Sequence, residues 1–173
     1  GPLIVMVNGF SASASEIFAA AMQDYDRAVI VGTPTFGKGT VQRFIDLDKF
    51  LLKSDVKSLG SLKLTIQKFY RINGKTTQLK GVHPDILLPD NYTYLDIGED
   101  ELDYSLPWDE IQPSDYSIWE DPVSKIVPDL KNNSLERIQE NKAFQLVEKR
   151  AMRLKERDEN STYPLKLEDY RAL

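Results

Sequence analysis

The sequence contains no cysteine and only one histidine, His83. Without cysteine there is no disulfide framework, no thiolate nucleophile and no zinc site built on sulfur. With one histidine there is no His-cluster metal site, and a Ser-His-Asp hydrolase would depend wholly on His83. No metal ion or cofactor is expected. No apolar run approaches the ~20 residues needed to cross a bilayer, and the start carries no signal-peptide pattern. Charge of one sign is not in excess either: 22 Lys+Arg stand against 27 Asp+Glu, a net charge of −5. So small a balance fits neither a disordered tail nor a polyanion-binding surface, and nucleic acid is not an expected partner. What remains is 173 residues, 41% apolar and 28% charged, the length of one globular domain with or without an appendage.

Pro2 to Val7 is an apolar run of strand length, which predicts a strand covered on both faces, as in a parallel α/β sheet. A chain that opens on such a strand is expected to begin inside a domain. The small-residue turn from Asn8 to Glu16 follows, then a short buried helix through Ile17, Ala20 and Ala21 ending near residues 23–25. Residues 27–32 read as a second apolar strand, so the segment is a βαβ unit. After Gly32, the Pro and Gly content of residues 33–40 marks a loop, and residues 41–47 look strand-like. Residues 48–60 look irregular. Leu62, Leu64 and Ile66 alternate with polar residues, the mark of a half-exposed strand. Asn73-Gly74 between strand-like flanks predicts a type I′ hairpin.

Residues 90–122, rich in Asp, Glu, Tyr and Pro, read as a long surface insert anchored by Trp108 and Trp119. From Pro128 the pattern turns helical. Leu130, Leu135 and Ile138 form one apolar line, and Phe144, Val147, Ala151 and Leu154 form another, as two helices joined near Asn141 with a polar tail from Asp158. The expected fold is therefore α/β or α+β, a partial domain with a mixed sheet, a hairpin and a helical C-terminal appendage. Its divisions fall at 1–89, 90–122 and 123–173.

Two places combine small residues with groups capable of chemistry. Ser13-Ala14-Ser15-Glu16 matches the capping box, in which serine and glutamate satisfy each other's backbone N–H groups at a helix start. The same geometry suits nucleophilic catalysis, because free N–H groups of a first helical turn can hold an oxyanion. Spacing alone does not rank Ser11, Ser13 and Ser15. A serine nucleophile needs a base, for which His83 and Lys38 are the candidates. A lysine serves as base only if desolvated or set near positive charge, since an amine near its ordinary value of about 10.4 stays protonated at neutral pH. Each has a plainer reading, a solvated loop lysine or a structural histidine. Gly32 to Gly39 also comes one residue short of the phosphate-binding loop G-x-x-x-x-G-K-[S/T]. Gly39 stands there in place of the magnesium-binding hydroxyl, and Pro34 removes a donor. A nucleotide-binding domain and a non-catalytic scaffold remain the alternatives to an enzyme.

Taken together, several segments resemble the tail-specific, or C-terminal processing, serine peptidases. They are residues 11–17, 23–25 and 27–32, then Pro34 to Gln42, Thr65 to Arg71, Gly81-Val82 and Pro84-Asp85-Ile86, with Leu106 to Asp109 similar to the larger periplasmic branch. The resemblance implies an endopeptidase cleaving protein substrates near their C-terminus with a Ser-Lys dyad. In it Ser13 is the nucleophile, Lys38 the general base and Gln42 the residue that orients the lysine. Ala14 supplies an oxyanion-hole N–H, Asp24 supports the site, and His83 loses its candidacy. It further implies a bacterial periplasmic or envelope location, and an upstream PDZ-type domain, earlier strands and a second oxyanion donor outside this segment. The segment alone is accordingly expected to be inactive, and its sheet edge to self-associate.

Overall fold

A computed structural model describes residues 1–50 and 58–171. Three parallel strands form the first sheet in the order β1 (Ile4–Val7), β2 (Val29–Gly32), β5 (Ile86–Leu87). Ile4 lies opposite Val29 and Val7 opposite Gly32, while Val31 pairs with Ile86. The helix α1 (Ala14–Asp24) connects β1 to β2, which gives the expected βαβ unit. Ala19 and Ala20 face the sheet fully buried, and with Val7, Ala28, Ile30 and Val82 they form the core. Small residues on that face of α1 let the helix lie close on the strands.

β1 departs from expectation in its burial. Leu3, Val5 and Val7 pack toward α1, while Ile4 and Met6 on the opposite face are 63% and 76% exposed. The helix covers one face only, and among the described residues nothing covers the other.

The antiparallel pair β3 (Thr40–Asp46) and β4 (Ser61–Lys68) forms a separate two-stranded ribbon, so the α/β fold holds its parallel and antiparallel ladders in different sheets. Its register shifts between Val41 and Gln42, which face Gln67 and Thr65 and leave Ile66 as the extra residue of a bulge. The irregular stretch expected over 48–60 includes a 3-10 turn through Phe50, and residues 51–57 lie outside the described residues.

Asn73-Gly74 does form a turn, closed by Gly74 N–H donating to Arg71 O at 2.9 Å and Arg71 N–H to Lys75 O at 2.7 Å. Only Gly74 has a positive φ, whereas a type I′ turn needs one at both central residues. The flanks do not become strands. They bond instead to the segment that follows: Ile111 N–H donates to Gly74 O, and Ser114 N–H to Ile72 O. Residues 97–124 thus run as a strap along the Asn73-Gly74 turn and past the end of α1, continuing with Trp119 N–H to Tyr25 O and Val123 N–H to Asp26 O. Trp108 is pinned by its indole N–H on Thr76 O at 3.1 Å and lies under the Lys80 ammonium.

The helices α2 (Val127–Glu140) and α3 (Lys142–Glu159) meet at Asn141, whose side chain accepts from Ala143 N–H at 2.8 Å. α2 packs on β5 and α3. Its buried line runs through Leu130, Ser134 and Ile138, a strict i, i+4 series, and Leu135 lies off it at 48% exposure. A short helix α4 (Leu167–Arg171) interrupts the polar tail.

Candidate active site

Ser13 sits between β1 and α1 with φ 57 and ψ −113, a strained conformation for a residue with a Cβ. A serine raised on such a turn between a strand and a helix presents its hydroxyl at the strand's C-terminal end, as in hydrolases with a nucleophile elbow. Hydrogen bonding separates the three serines that spacing leaves equal. Ser11 donates to Asn8 Oδ1 and accepts from Asn8 N–H, and Ser15 donates to Ala12 O at 2.8 Å. The Ser13 hydroxyl donates to nothing among the described residues, and it makes no cap hydrogen bond of normal geometry although the capping box is present in outline. Around it, Ser15, Glu16 and Ile17 N–H groups all find backbone acceptors, while Ala14 N–H has none among the described residues. A free donor directly after the serine is what an oxyanion site requires.

Glu16 is the residue whose role sequence reading underestimates. It is fully buried, and its carboxylate accepts four hydrogen bonds. Oε1 takes Thr35 Oγ1 at 2.6 Å and Gly37 N–H at 2.7 Å. Oε2 takes Ser13 N–H at 2.8 Å and Lys38 N–H at 2.9 Å. A capping-box glutamate ordinarily closes only its own helix, but this one also fastens the loop after β2 to the serine turn. Thr35 extends the network, its hydroxyl accepting Val82 N–H at 2.7 Å. The one sequence signal was a carboxylate among small and apolar residues on a helix that has to be buried.

Lys38 is half-buried on that loop and forms no ion pair among the described residues, so no carboxylate partner engages its amine. The loop itself is bonded nearly residue by residue. Phe36 N–H donates to Ser11 O, Gly39 N–H to Gln78 Oε1, Leu79 N–H to Gly37 O and Phe69 N–H to Gly39 O. Gly39 is irreplaceable on contact grounds, since a Cβ there would lie 2.6 Å from Gln78 N and from Thr76 Oγ1. This excludes the nucleotide-binding alternative. The N–H groups that would cradle phosphate point inward to Glu16 and Gln78, and residues 40–46 form a strand where a phosphate loop requires a helix.

Gln42 is exposed on β3 beside the bulge. Asp24 lies at the far end of α1, roughly 16 Å along the helix from Ser13 at 1.5 Å per residue. Its carboxylate receives Arg71 at 2.6 and 2.8 Å and Asn73 Nδ2 at 2.9 Å, tying the helix to the hairpin. His83 is exposed before β5, offering its carbonyl to Gln23 Nε2 at 2.9 Å. No group of residues that could hold a metal ion occurs among the described residues.

A strained serine at a sheet's carboxyl edge, a free N–H behind it and a carboxylate-free lysine on the adjoining loop lie at the end of the strands where open α/β folds place their sites. The chain belongs to peptidase family S41, whose pattern matches residues 1–88. Residues 92–173 match the C-terminal domain of tail specific protease. The chain is similar to the tail-specific protease of Haemophilus influenzae, with 55% identity over 116 residues, 67% of this chain and 16% of that protein. To the carboxy-terminal-processing protease of Bartonella bacilliformis it is 45% identical over 107 residues, 58% of this chain and 23% of that protein. Among solved structures, the photosystem II D1 C-terminal processing protease matches with a TM-score of 0.42 and 36% identity, over 50% of this chain and 20% of that one. The chain therefore spans between about a sixth and a quarter of the length of these relatives.

Proposed function

We propose that this chain is the catalytic segment of a serine endopeptidase that cleaves protein substrates near their C-terminus, with Ser13 as nucleophile and Lys38 as general base. The observation that carries the reading is the shared carboxylate oxygen. Ser13 N–H and Lys38 N–H lie 2.8 and 2.9 Å from Glu16 Oε2, so their backbone nitrogens are at most 5.7 Å apart. In the proposed reaction Ser13 Oγ attacks the scissile carbonyl carbon while the Lys38 amine takes the hydroxyl proton. The tetrahedral oxyanion is met by Ala14 N–H. Lys38 then gives the proton to the leaving amine, and water hydrolyses the acyl-enzyme by the same route. Gln42 orients the lysine side chain, and Asp24 holds α1 in place. No cofactor takes part.

Substrate tails are proposed as the partners because the relatives' names speak of tail-specific and carboxy-terminal processing. A periplasmic or envelope location is proposed on the likeness of Leu106 to Asp109 to the larger periplasmic branch. The relatives are several times longer than this segment. We therefore propose that the 173 residues alone are inactive, the second oxyanion donor and the tail-capturing module lying in the remainder of the longer protein. The exposed Ile4 and Met6 on the edge strand β1 support self-association of the isolated segment. A monomer in light scattering at tens of micromolar would refute that part.

The test of the dyad is cleavage of a tailed protein by the full-length protease. Ser13→Ala and Lys38→Ala should each lose at least about 10³-fold in kcat with folding intact. Retention of more than a tenth of the activity in either variant would refute it.

A further inference from the structure

Glu99 belongs to the segment matching the C-terminal domain, yet it reaches the loop that carries Lys38. Its backbone N–H donates to Phe36 O at 2.9 Å. Its carboxylate, on a residue only 7% exposed, accepts from Gln78 Nε2 at 3.2 Å. Gln78 is fully buried, and its Oε1 accepts Gly39 N–H at 2.9 Å. The two residues flanking Gly37-Lys38 are thus held by Glu99, Phe36 directly and Gly39 through one amide.

The chemistry of that amide gives the carboxylate a specific task. A glutamine side chain has a donor end and an acceptor end, and nothing intrinsic decides which way it faces. The group that faces Gln78 is the Gly39 N–H, a donor only, so it needs the oxygen. An ionised carboxylate accepts only, so Glu99 draws the NH2 end to itself and thereby turns the oxygen toward Gly39. Without Glu99 the amide is free to turn over, and an NH2 facing Gly39 N–H would leave a buried donor unpaired beside the lysine. A buried carboxylate costs desolvation that burying an apolar residue would not.

We propose that Glu99 is a positioning residue for the Lys38 loop, acting through Gln78, and that the C-terminal region is thereby a working part of the catalytic site. The proposal rests on Lys38 as the general base. It makes Glu16 and Glu99 two clamps on one loop, the first from the helix that presents Ser13 and the second from the strap.

The test uses the full-length protease. Glu99→Ala should lower kcat by about tenfold to a hundredfold with KM within about twofold, because a displaced base harms the chemical step and not substrate docking. Glu99→Gln keeps an acceptor for Gln78 and should restore kcat to within about threefold. Hydrogen exchange over residues 33–41 in Glu99→Ala should speed up by at least about tenfold at the Gly39 amide. If Glu99→Ala does not fold, Gln78→Met cuts the same link at similar volume and should show the same kcat-selective loss. Unchanged exchange and kcat in the folded variant would overturn the proposal, as would a loss shared by kcat, KM and melting temperature that Glu99→Gln does not rescue. Lys38→Arg run alongside separates the two readings. If it stays active the dyad fails, whereas the Gly39 exchange still reports on the clamp.

Discussion

The backbone N–H groups of Ser13 and Lys38 converge on a single oxygen, Oε2 of Glu16. Two elements separated by a helix and a strand are thereby fixed to one point, and the other carboxylate oxygen binds Thr35 and Gly37. An amide at this position has one oxygen for four donors. Glu16→Gln should therefore destabilise the protein by about 2–4 kcal/mol and lower kcat at least about a hundredfold, as buried donors lose their acceptor. Thermal unfolding and steady-state kinetics of the full-length variant check both, and a kcat within twofold of the parent would contradict the role given to Glu16.

The ion pair of Asp24 with Arg71 does a different job, since it lies at the opposite end of α1 from the serine. The Asp24 and Arg71 side chains are 7% and 15% exposed. Asp24→Ala leaves a guanidinium stranded and should cost about 3–5 kcal/mol, with part recovered in Asp24→Ala/Arg71→Met. Equal stability of the single and double variants in denaturant unfolding would contradict the assignment.

Much of this arrangement is legible in the residues. The apolar runs at 2–7 and 27–32 became β1 and β2, and the helix break at Asn141 is where the two C-terminal helices meet, because these features depend on local pattern and capping. Membership of a peptidase family was likewise readable from motif order. What was not legible depends on contacts distant in sequence. Glu16 looked like a cap because its partners at 35, 37 and 38 are joined to it only by folding. Gln78 and Glu99 carry no motif at all. The Asn73-Gly74 flanks look like strands but give their hydrogen bonds to residues 109–114, which local propensity does not foresee. Leu135 falls on one apolar line with Leu130 and Ile138 in the sequence, yet in α2 it is Ser134 that is buried and Leu135 that is 48% exposed.

Gly39 packs its α-carbon against the Gln78 backbone and the Thr76 hydroxyl so closely that a methyl group has no place. Gly39→Ala should shift the loop and reduce kcat by at least about a hundredfold, with a stability loss of about 2 kcal/mol or more. Gly60, where a Cβ meets nothing within 4 Å, is the control, although its φ of +82° carries a backbone cost of its own. If both alanine variants retain full activity, the tight loop is not what aims the lysine.

Asp109 joins the strap to β4 through Lys68 at 2.7 Å and to Tyr70 at 3.2 Å. The hydrogen bond from Lys68 holds the Asp109 carboxyl below its ordinary value of 3.8, with burial opposing and the charge of Lys68 reinforcing. For an acid depressed on folding, the stabilisation is complete above the unfolded value and disappears as the pH falls through the lower folded one. The melting temperature of Asp109→Asn should thus lie below that of the parent near neutral pH, and the gap should narrow as the pH falls below the ordinary carboxylate value of 3.8. A gap that persists unchanged in acid would contradict the linkage.

The base role of Lys38 is tested most directly by the kcat/KM of Lys38→Arg in the full-length protease. Arginine keeps the positive charge and the hydrogen-bonding capacity but does not give up its proton in a protein. With Lys38 as the base, the variant loses about 10³-fold or more with the fold intact, and activity within tenfold of the parent would contradict that role.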